Sequence, residues 1–187
     1  MGYTHTFEIT RKPDQEQWAG LMLDVQKLFK TLPTCHELIN LGVDAVDEIV
    51  LRGPMGDKKS ICNTRKISFN GDSINDLYCE SFTLLPKKMS DSCKTNRKPY
   101  DFVVCAVLIL AYTHIPDIVR IQSDGDEDDW NPALFWVRSH ILPDALMPAA
   151  ISVAQICLEP RVKSTANQSV TMYLTGLSSN IGDFYFS

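Results

Sequence analysis

The sequence predicts an α+β fold in which helices pack on one face of a mostly antiparallel sheet. Three observations lead to this prediction. Residues 3–10 alternate and are rich in aromatic and β-branched side chains, which is typical of a strand. Between residues 18 and 32, apolar side chains recur at helical spacing. Phe102 to Tyr112 is apolar without interruption, which indicates a helix buried on most sides.

The predicted element order is β-α-β-β-β-α-β-α, followed by a C-terminal extension. In that order, the predicted elements span residues 3–10, 13–32, 47–52, 66–70, 80–85, 99–114, 118–122 and 132–142. Two charged loops are expected between them, a polar one over 86–98 and an acidic one over 124–129. We expect residues 1–146 to form a single domain. Residues 147–187 would pack on it or be partly extended, with strands at 151–158 and 169–174.

Length and composition narrow the class of protein. The chain has 187 residues, about one domain, and 44 % of them are hydrophobic, which argues against disorder. The longest apolar run has eleven residues, whereas a membrane helix needs about 20. The start lacks the basic and apolar segments of a signal peptide, so a cytoplasmic protein without membrane contact is expected. The six cysteines form no C-x-x-C pair, so free thiols are expected.

The charge is distributed unevenly along the chain. Its net value is −5, but residues 52–98 carry ten basic and five acidic side chains, while both flanking segments are acidic. A basic middle can meet an anionic ligand or pair with the acidic ends. Mixed surface charge is the default for soluble domains, so the second interpretation is favoured.

The loop Cys93 to Lys98 is a candidate anion site. It precedes a predicted helix, whose first backbone N–H groups are unpaired and partly positive. Lys94, Arg97 and Lys98 add charge, and Thr95 can donate a hydrogen bond. The alternative is a solvated loop that pairs with nearby acids. A P-loop is excluded because its glycines are absent.

The acidic loop 124–129 should share a rim of the domain with the basic loop, if the strand before it runs antiparallel to the long apolar helix. The two loops would then form structural salt bridges, which is the favoured interpretation. Alternatively, they bracket a site in which carboxylates hold a divalent metal or act as acid and base. An EF-hand is excluded, because its sixth position is Asp129 rather than glycine and its twelfth is Phe135.

Other chemistries find less support in the sequence. Cys35-His36 has no second pair at zinc-finger spacing. A nucleophilic Cys93, with a pKa lowered beside Lys94, is less favoured than a simple loop thiol. The motifs of serine hydrolases and dinucleotide-binding proteins are absent. Nucleic-acid binding is disfavoured because no RNP-like or finger motif occurs.

Four stretches together resemble an uncharacterised family of small proteins encoded by bacteriophages and bacteria. They are Met1-Gly2-Tyr3-Thr4-His5, Phe69-Asn70-Gly71, Cys93-Lys94-Thr95-Asn96-Arg97-Lys98-Pro99-Tyr100-Asp101, and Ser123-Asp124-Gly125 with Asp129-Trp130. The resemblance covers roughly residues 1–140, and the K-T-x-R-K-P-Y-D segment is its most specific part. It implies a phage or prophage setting inside a host cell, in which small proteins often act on host defence or nucleotide metabolism. It implies no particular reaction.

Two functional hypotheses follow. In the first, the chain binds or hydrolyses a phosphorylated small molecule such as a nucleotide, with Mg²⁺ as the cofactor that the carboxylates would hold. Its ligand-binding residues would be Asn70, Lys94, Thr95, Arg97 and Lys98, and its catalytic residues His5, Asp124 and Asp128. In the second, the chain is a non-enzymatic interaction protein, for instance an inhibitor of a host defence factor. Charged loops that converge on a pocket holding His5 favour the first, and loops on a flat face favour the second. The oligomeric state stays open.

Overall fold

The computed structural model describes residues 2–44, 47–55 and 59–152, and within them the predicted α+β class is confirmed. The elements are β1 (Thr4–Ile9), α1 (Gln15–Leu28), α2 (Cys35–Asn40), β2 (Ile61–Asn63), β3 (Lys66–Phe69), β4 (Phe82–Leu84), β5 (Met89–Lys94), α3 (Asp101–His114), β6 (Val119–Ser123), α4 (Glu127–His140) and α5 (Ala149–Ser152).

The described strands form two small sheets rather than one. Both are antiparallel, with strand orders β5-β1-β6 and β2-β3-β4. Strand β1 is central in the first sheet, and its register sets His5 opposite Cys93 on one side and Ser123 on the other. Because side chains alternate along a strand, His5, Phe7 and Ile9 share one face, and all three are buried. The sheet therefore carries a histidine into the core.

Helix α3 is the centre of the core. Ten consecutive residues, Phe102 to Ala111, are buried, as expected for a helix that is apolar all round. It packs against α1, α4 and β6. Helix α1 turns a single apolar face inward, formed by Trp18, Leu21, Val25 and Leu28. No helix in the described part of the chain is long and apolar enough to cross a membrane.

Three predicted elements differ from the structure. No strand forms over the described part of 47–52, where Arg52 makes only an isolated bridge to Asn70. The polar loop 86–98 was predicted where β5 lies. This strand is at a sheet edge and only Cys93 in it is buried, so its sequence lacks the apolar alternation from which a strand is predicted. Residues 149–152 form α5, so the predicted strand 151–158 does not begin as expected. The rest of that strand and the strand 169–174 lie outside the described residues.

Two helices begin where the sequence did not predict them. Helix α2 was missed because it is short, although Thr34 and Glu37 cap it reciprocally. Helix α4 begins at Glu127 rather than at Pro132, since Asp126 accepts hydrogen bonds from the backbone N–H groups of Asp128 and Asp129. Pro132 is tolerated inside the helix because the carbonyl it leaves unpaired belongs to Asp128, which is exposed to water. Half of the acidic loop is therefore the first turn of a helix.

Leu21 and Leu23 in α1 provide a matched test of this packing. Leu21 is fully buried and Leu23 is exposed. We expect Leu21→Ala to lower the free energy of unfolding by about 2–5 kcal/mol, because it leaves a cavity in the core. Leu23→Ala should change it by about 0.5 kcal/mol or less. Urea unfolding of both variants measures the difference, and equal losses would contradict this orientation of α1.

Candidate functional site

His5 is a fully buried polar residue whose two ring nitrogens both have partners. Its Nε2 lies 2.8 Å from Oδ1 of Asp101, and its Nδ1 lies 3.0 Å from Oγ of Ser123. Asp101 is the first residue of α3 and Ser123 the last of β6, so three elements meet at this ring. Burying an imidazole costs free energy unless its polar atoms are paired, and here both are.

The hydrogen bonds of Ser123 determine which nitrogen of His5 carries the proton. Oγ of Ser123 accepts hydrogen bonds from the backbone N–H of Gly125 at 2.9 Å and from Nε1–H of Trp130 at 3.3 Å. These use both lone pairs of the hydroxyl, so its own O–H must donate to Nδ1 of His5. The remaining ring proton is then on Nε2 and donates to Asp101. The surroundings thus select the neutral Nε2–H tautomer.

Asp101 is the point where this network approaches the surface. Its Oδ1 accepts hydrogen bonds from both His5 and Oγ1–H of Thr95, the latter at 2.5 Å. No hydrogen bond from the described residues reaches its Oδ2. The Asp101 side chain is 18 % exposed, whereas His5 is completely buried. The carboxylate is therefore held through one oxygen, while the other makes no hydrogen bond to the described residues.

Cys105 lies one helical turn after Asp101, with its Sγ 3.9 Å from Nε2 of His5. Burial raises the pKa of this thiol well above its usual value. The potential ligand atoms of His5, Asp101 and Cys105 lie within 4.8 Å of one another, and these are zinc-binding residue types. A metal on Nε2 would move the ring proton to Nδ1, where Ser123 has no lone pair left to accept it. The cluster therefore serves better as a hydrogen-bond network than as a metal centre.

Aromatic rings close the site around the imidazole. Tyr3 and Trp130 each make an edge-to-face contact with His5, at centroid distances of 5.1 and 5.3 Å. Gly125 allows this packing, since a Cβ there would lie 1.8 Å from the hydroxyl oxygen of Tyr3. These rings keep water away from His5, which strengthens its hydrogen bond to Asp101.

The basic and acidic segments meet beside this network. Arg97 donates two hydrogen bonds to the carboxylate of Asp129, at 2.5 and 3.1 Å, and its guanidinium lies 4.0 Å from the centroid of the Tyr3 ring. The hydrogen bond from Arg97 lowers the pKa of Asp129 below its usual value. Asn96 and Arg97 both have positive φ angles, 52° and 56°, which turn the chain sharply before α3. The ion pair of Arg97 and Asp129 joins the start of α3 to the start of α4.

A cleft of about 500 Å³ lies between these two helix starts. We call it the Asp101 cleft. Its charged lining residues are two cations, Arg97 and Lys98, and five acids, Asp44, Asp47, Asp101, Asp128 and Asp129. Cys105, Phe102, Ala133 and Leu38 contribute to its apolar part. The cleft thus contains both signs of charge, with acids in excess.

Some of the predicted site residues lie in this cleft and others do not. Arg97, Lys98 and Asp128 line it. His5 lies behind Asp101 and acts on the cleft only through that carboxylate. Thr95 is completely buried and its hydroxyl is bonded to Asp101, so it positions the carboxylate rather than contacting a ligand.

The other predicted residues have structural partners. The side-chain amide of Asn70 donates to the carbonyl of Cys79 and to Ser81, and its oxygen accepts from the backbone of Gly71. Oδ2 of Asp124 accepts the backbone N–H of Thr4 at 2.9 Å. Lys94 is not among the lining residues of the cleft. Asn70 and Asp124 therefore stabilise the surrounding structure, and Lys94 lies outside the cleft.

Cys93 lacks the property that a nucleophilic cysteine needs. It is buried in β5, and burial raises the pKa of its thiol to about 12. The sequence had suggested a lowered pKa beside Lys94, but the two side chains point to opposite faces of the strand.

Sequence reasoning missed Asp101 as a site residue and treated it only as a first-turn acid of α3. Tyr3, Ser123 and Trp130, which contact His5, were also absent from the predicted set. One available signal was that all four belong to the stretches that carry the family resemblance. Those stretches meet in space, because Gly71 also packs against Tyr100, where a Cβ would lie 2.7 Å from the ring.

Comparisons with known proteins identified no relative of this chain. No family model matches the chain, and no curated protein and no solved structure matches it. The properties of the site are therefore argued from its own geometry.

Ser123 offers a test of the network. We expect Ser123→Ala to lower the free energy of unfolding by about 1–3 kcal/mol, because it leaves buried polar groups of His5, Gly125 and Trp130 unpaired. Ser92→Ala is the control, since Ser92 is exposed in β5. Imidazole ¹⁵N shifts of the wild-type protein should show His5 protonated on Nε2. A proton on Nδ1 instead would contradict the proposed arrangement.

The ion pair of Arg97 and Asp129 predicts a dependence of stability on pH. The folded pKa of Asp129 lies below its usual 3.8, so the pair stabilises the folded state above that value and loses this effect as pH falls through the folded pKa. Asp129→Asn should cost at most about 1 kcal/mol near neutral pH, because the pair is largely solvent-screened. Unfolding curves should show this cost shrinking below pH 3.8. A cost that stays constant down to pH 2 would assign it to packing instead.

Proposed function

We propose that this protein binds a phosphorylated small molecule, such as a nucleotide, together with a divalent cation in the Asp101 cleft. The observation that carries the proposal is the state of Asp101. Its Oδ1 is held by His5 and Thr95, while no described residue bonds its Oδ2. A buried network that fixes one carboxylate at the edge of a cleft is expected where that carboxylate acts on a ligand.

The phosphate would be held by Arg97 and Lys98. A guanidinium has five donors, and Arg97 uses two of them on Asp129. The ammonium of Lys98 has three donors, and one of them reaches the backbone carbonyl of Asp76 at 2.7 Å. Both side chains are thus oriented by existing contacts and retain donors for phosphate oxygens.

The cation would be held by Asp101 and Asp128. Five carboxylates and two cations line the cleft, so a phosphate alone would be repelled. Mg²⁺ prefers carboxylate oxygens, keeps several of its waters and binds together with substrate phosphates. Asp101 would then serve either as a ligand of the ion or as a general base towards a water on it, and the second role would make the protein a hydrolase.

Two further points support a small ligand over a protein partner. The charged segments line a concave cleft rather than a flat face, which favours a small ligand, although His5 lies behind Asp101 and not in the lining of the cleft. The resemblance to phage-encoded proteins would place the chain in a host cytoplasm, where nucleotides are abundant. The alternative is a non-enzymatic interaction protein, for instance an inhibitor of a host defence factor.

Thermal-shift screening with a nucleotide panel, with and without Mg²⁺, tests the proposal. A ligand at 100 times its Kd stabilises the folded protein by about 2.7 kcal/mol, which raises its melting temperature by several degrees. The shift should require Mg²⁺. Phosphate release in the same samples reports hydrolysis. No shift with any nucleotide at millimolar concentration would contradict the proposal.

Asp101→Asn is the decisive variant, because its amide oxygen can still accept from His5 while the charge is lost. We expect it to weaken binding by at least about 10- to 100-fold, the range seen when residues that support a metal ligand are replaced. Asp117→Asn is the control, since Asp117 is exposed and lies outside the cleft. Calorimetric titration measures both, and equal affinities for the two variants would remove Asp101 from the site.

A further inference from the structure

A second cleft, of about 780 Å³, lies away from the Asp101 cleft and shares no lining residue with it. It is formed by the start of α1 and by the chain turns that follow β2 and β4. Trp18, Leu85 and Pro86 supply apolar lining, and Lys12, Arg65 and Lys87 supply positive charge. We call it the Trp18 cleft. Its volume is in the range of small-molecule sites.

The charge of this cleft is positive although the chain is acidic. Lys12, Arg65 and Lys87 are exposed, and none of them makes a salt bridge within the described part of the chain. Asp14 is the acid in the lining, and it caps α1: its Oδ1 accepts a hydrogen bond from the backbone N–H of Gln17 at 2.7 Å. Three cations around one concave surface repel one another, and an anion between them would relieve that repulsion.

The start of α1 adds to the same field. The cleft is lined by residues of its first turn, where the backbone N–H groups carry partial positive charge. Asp14 caps the N–H of Gln17, but no described hydrogen bond engages the N–H groups of Gln15 and Glu16. A helix start of this kind favours anions.

An independent observation comes from Trp18. Its side chain is 5 % exposed, and its indole Nε1 is buried without a hydrogen-bond partner among the described residues. The other two indoles are paired, Trp130 with Ser123 and Trp136 with the carbonyl of Thr31. Of the three indoles, that of Trp18 is the one without an acceptor among the described residues. An unpaired buried donor of this kind costs about 1–3 kcal/mol.

We propose that the Trp18 cleft is a binding site for a small organic anion, one that carries a carboxylate or phosphate group on an apolar or aromatic body. The anionic group lies between Lys12, Arg65 and Lys87 near the start of α1. The apolar body lies against Trp18, Leu85 and Pro86. This site is separate from the one under Proposed function and does not depend on it.

Indole ¹H–¹⁵N spectra of the full chain test the proposal. The probes are phenyl phosphate, phenylacetate and the neutral benzyl alcohol, and the Trp18 resonance is assigned through its own ring connectivities. We expect a saturable shift of the Trp18 resonance with at least one of the anions, because Trp18 lines the cleft, whereas Trp136, which does not line it, stays unchanged. The anion that binds more tightly identifies the group that the site prefers. Benzyl alcohol should bind much more weakly.

Matched variants locate the binding. Arg65→Gln and Lys87→Gln alter exposed turn residues, so both should fold, and each should weaken the anion by about tenfold through loss of a charge-assisted hydrogen bond. Lys30→Gln changes an exposed lysine outside the cleft and should have no effect. Asp101→Asn should also leave this binding unchanged, so the proposals for the two sites can be contradicted separately. No saturable shift at millimolar anion, or a shift that persists in Arg65→Gln and Lys87→Gln, would overturn the proposal.

Discussion

The hydrogen bond between His5 and Asp101 is the interaction on which the rest of the site depends. It joins the middle of the first sheet to the start of the central helix, and it does so inside the core. An unpaired buried imidazole would be costly, so each of the surrounding polar groups contributes to the stability of the fold. Ser123 determines the proton position on the ring, and Thr95 shares the same carboxylate oxygen. A chemical requirement of one residue thus specifies the positions of three others.

The basic and acidic segments lie next to this buried network. Arg97 and Asp129 form a paired contact over Tyr3, which itself packs on His5. Surface ion pairs contribute little stability, so this pair is better understood as a device that orients two helix starts around a cleft. Asp101 lines this cleft together with Lys98 and Asp128. The arrangement resembles other polar sites in one physical respect, namely that a rigid buried network holds a partly exposed reactive group.

Elements with strong periodicity could be predicted from sequence, and those set by tertiary contacts could not. The face of α1 and the apolar helix α3 were evident because burial alone explains their patterns. Strand β5 was not, since an edge strand with exposed polar residues lacks the usual alternation. A strand β6 antiparallel to α3 was expected to bring the two charged loops together. Arg97 and Asp129 do form an ion pair. Asp101 was missed because a carboxylate in a first turn already has a local explanation, the helix dipole. Only the position of His5 across the sheet reveals its second role.

In the proposed complex, the oxygen of Asp101 that makes no hydrogen bond to the described residues binds the cation of a phosphorylated ligand. A crystal grown with Mn²⁺ and a non-hydrolysable nucleotide analogue, examined by anomalous scattering, tests this most directly. We expect a manganese peak bonded to Oδ2 of Asp101, with phosphate oxygens next to Lys98. A nucleotide bound elsewhere with the Asp101 cleft empty, or an ion bound without contact to Asp101, would contradict it.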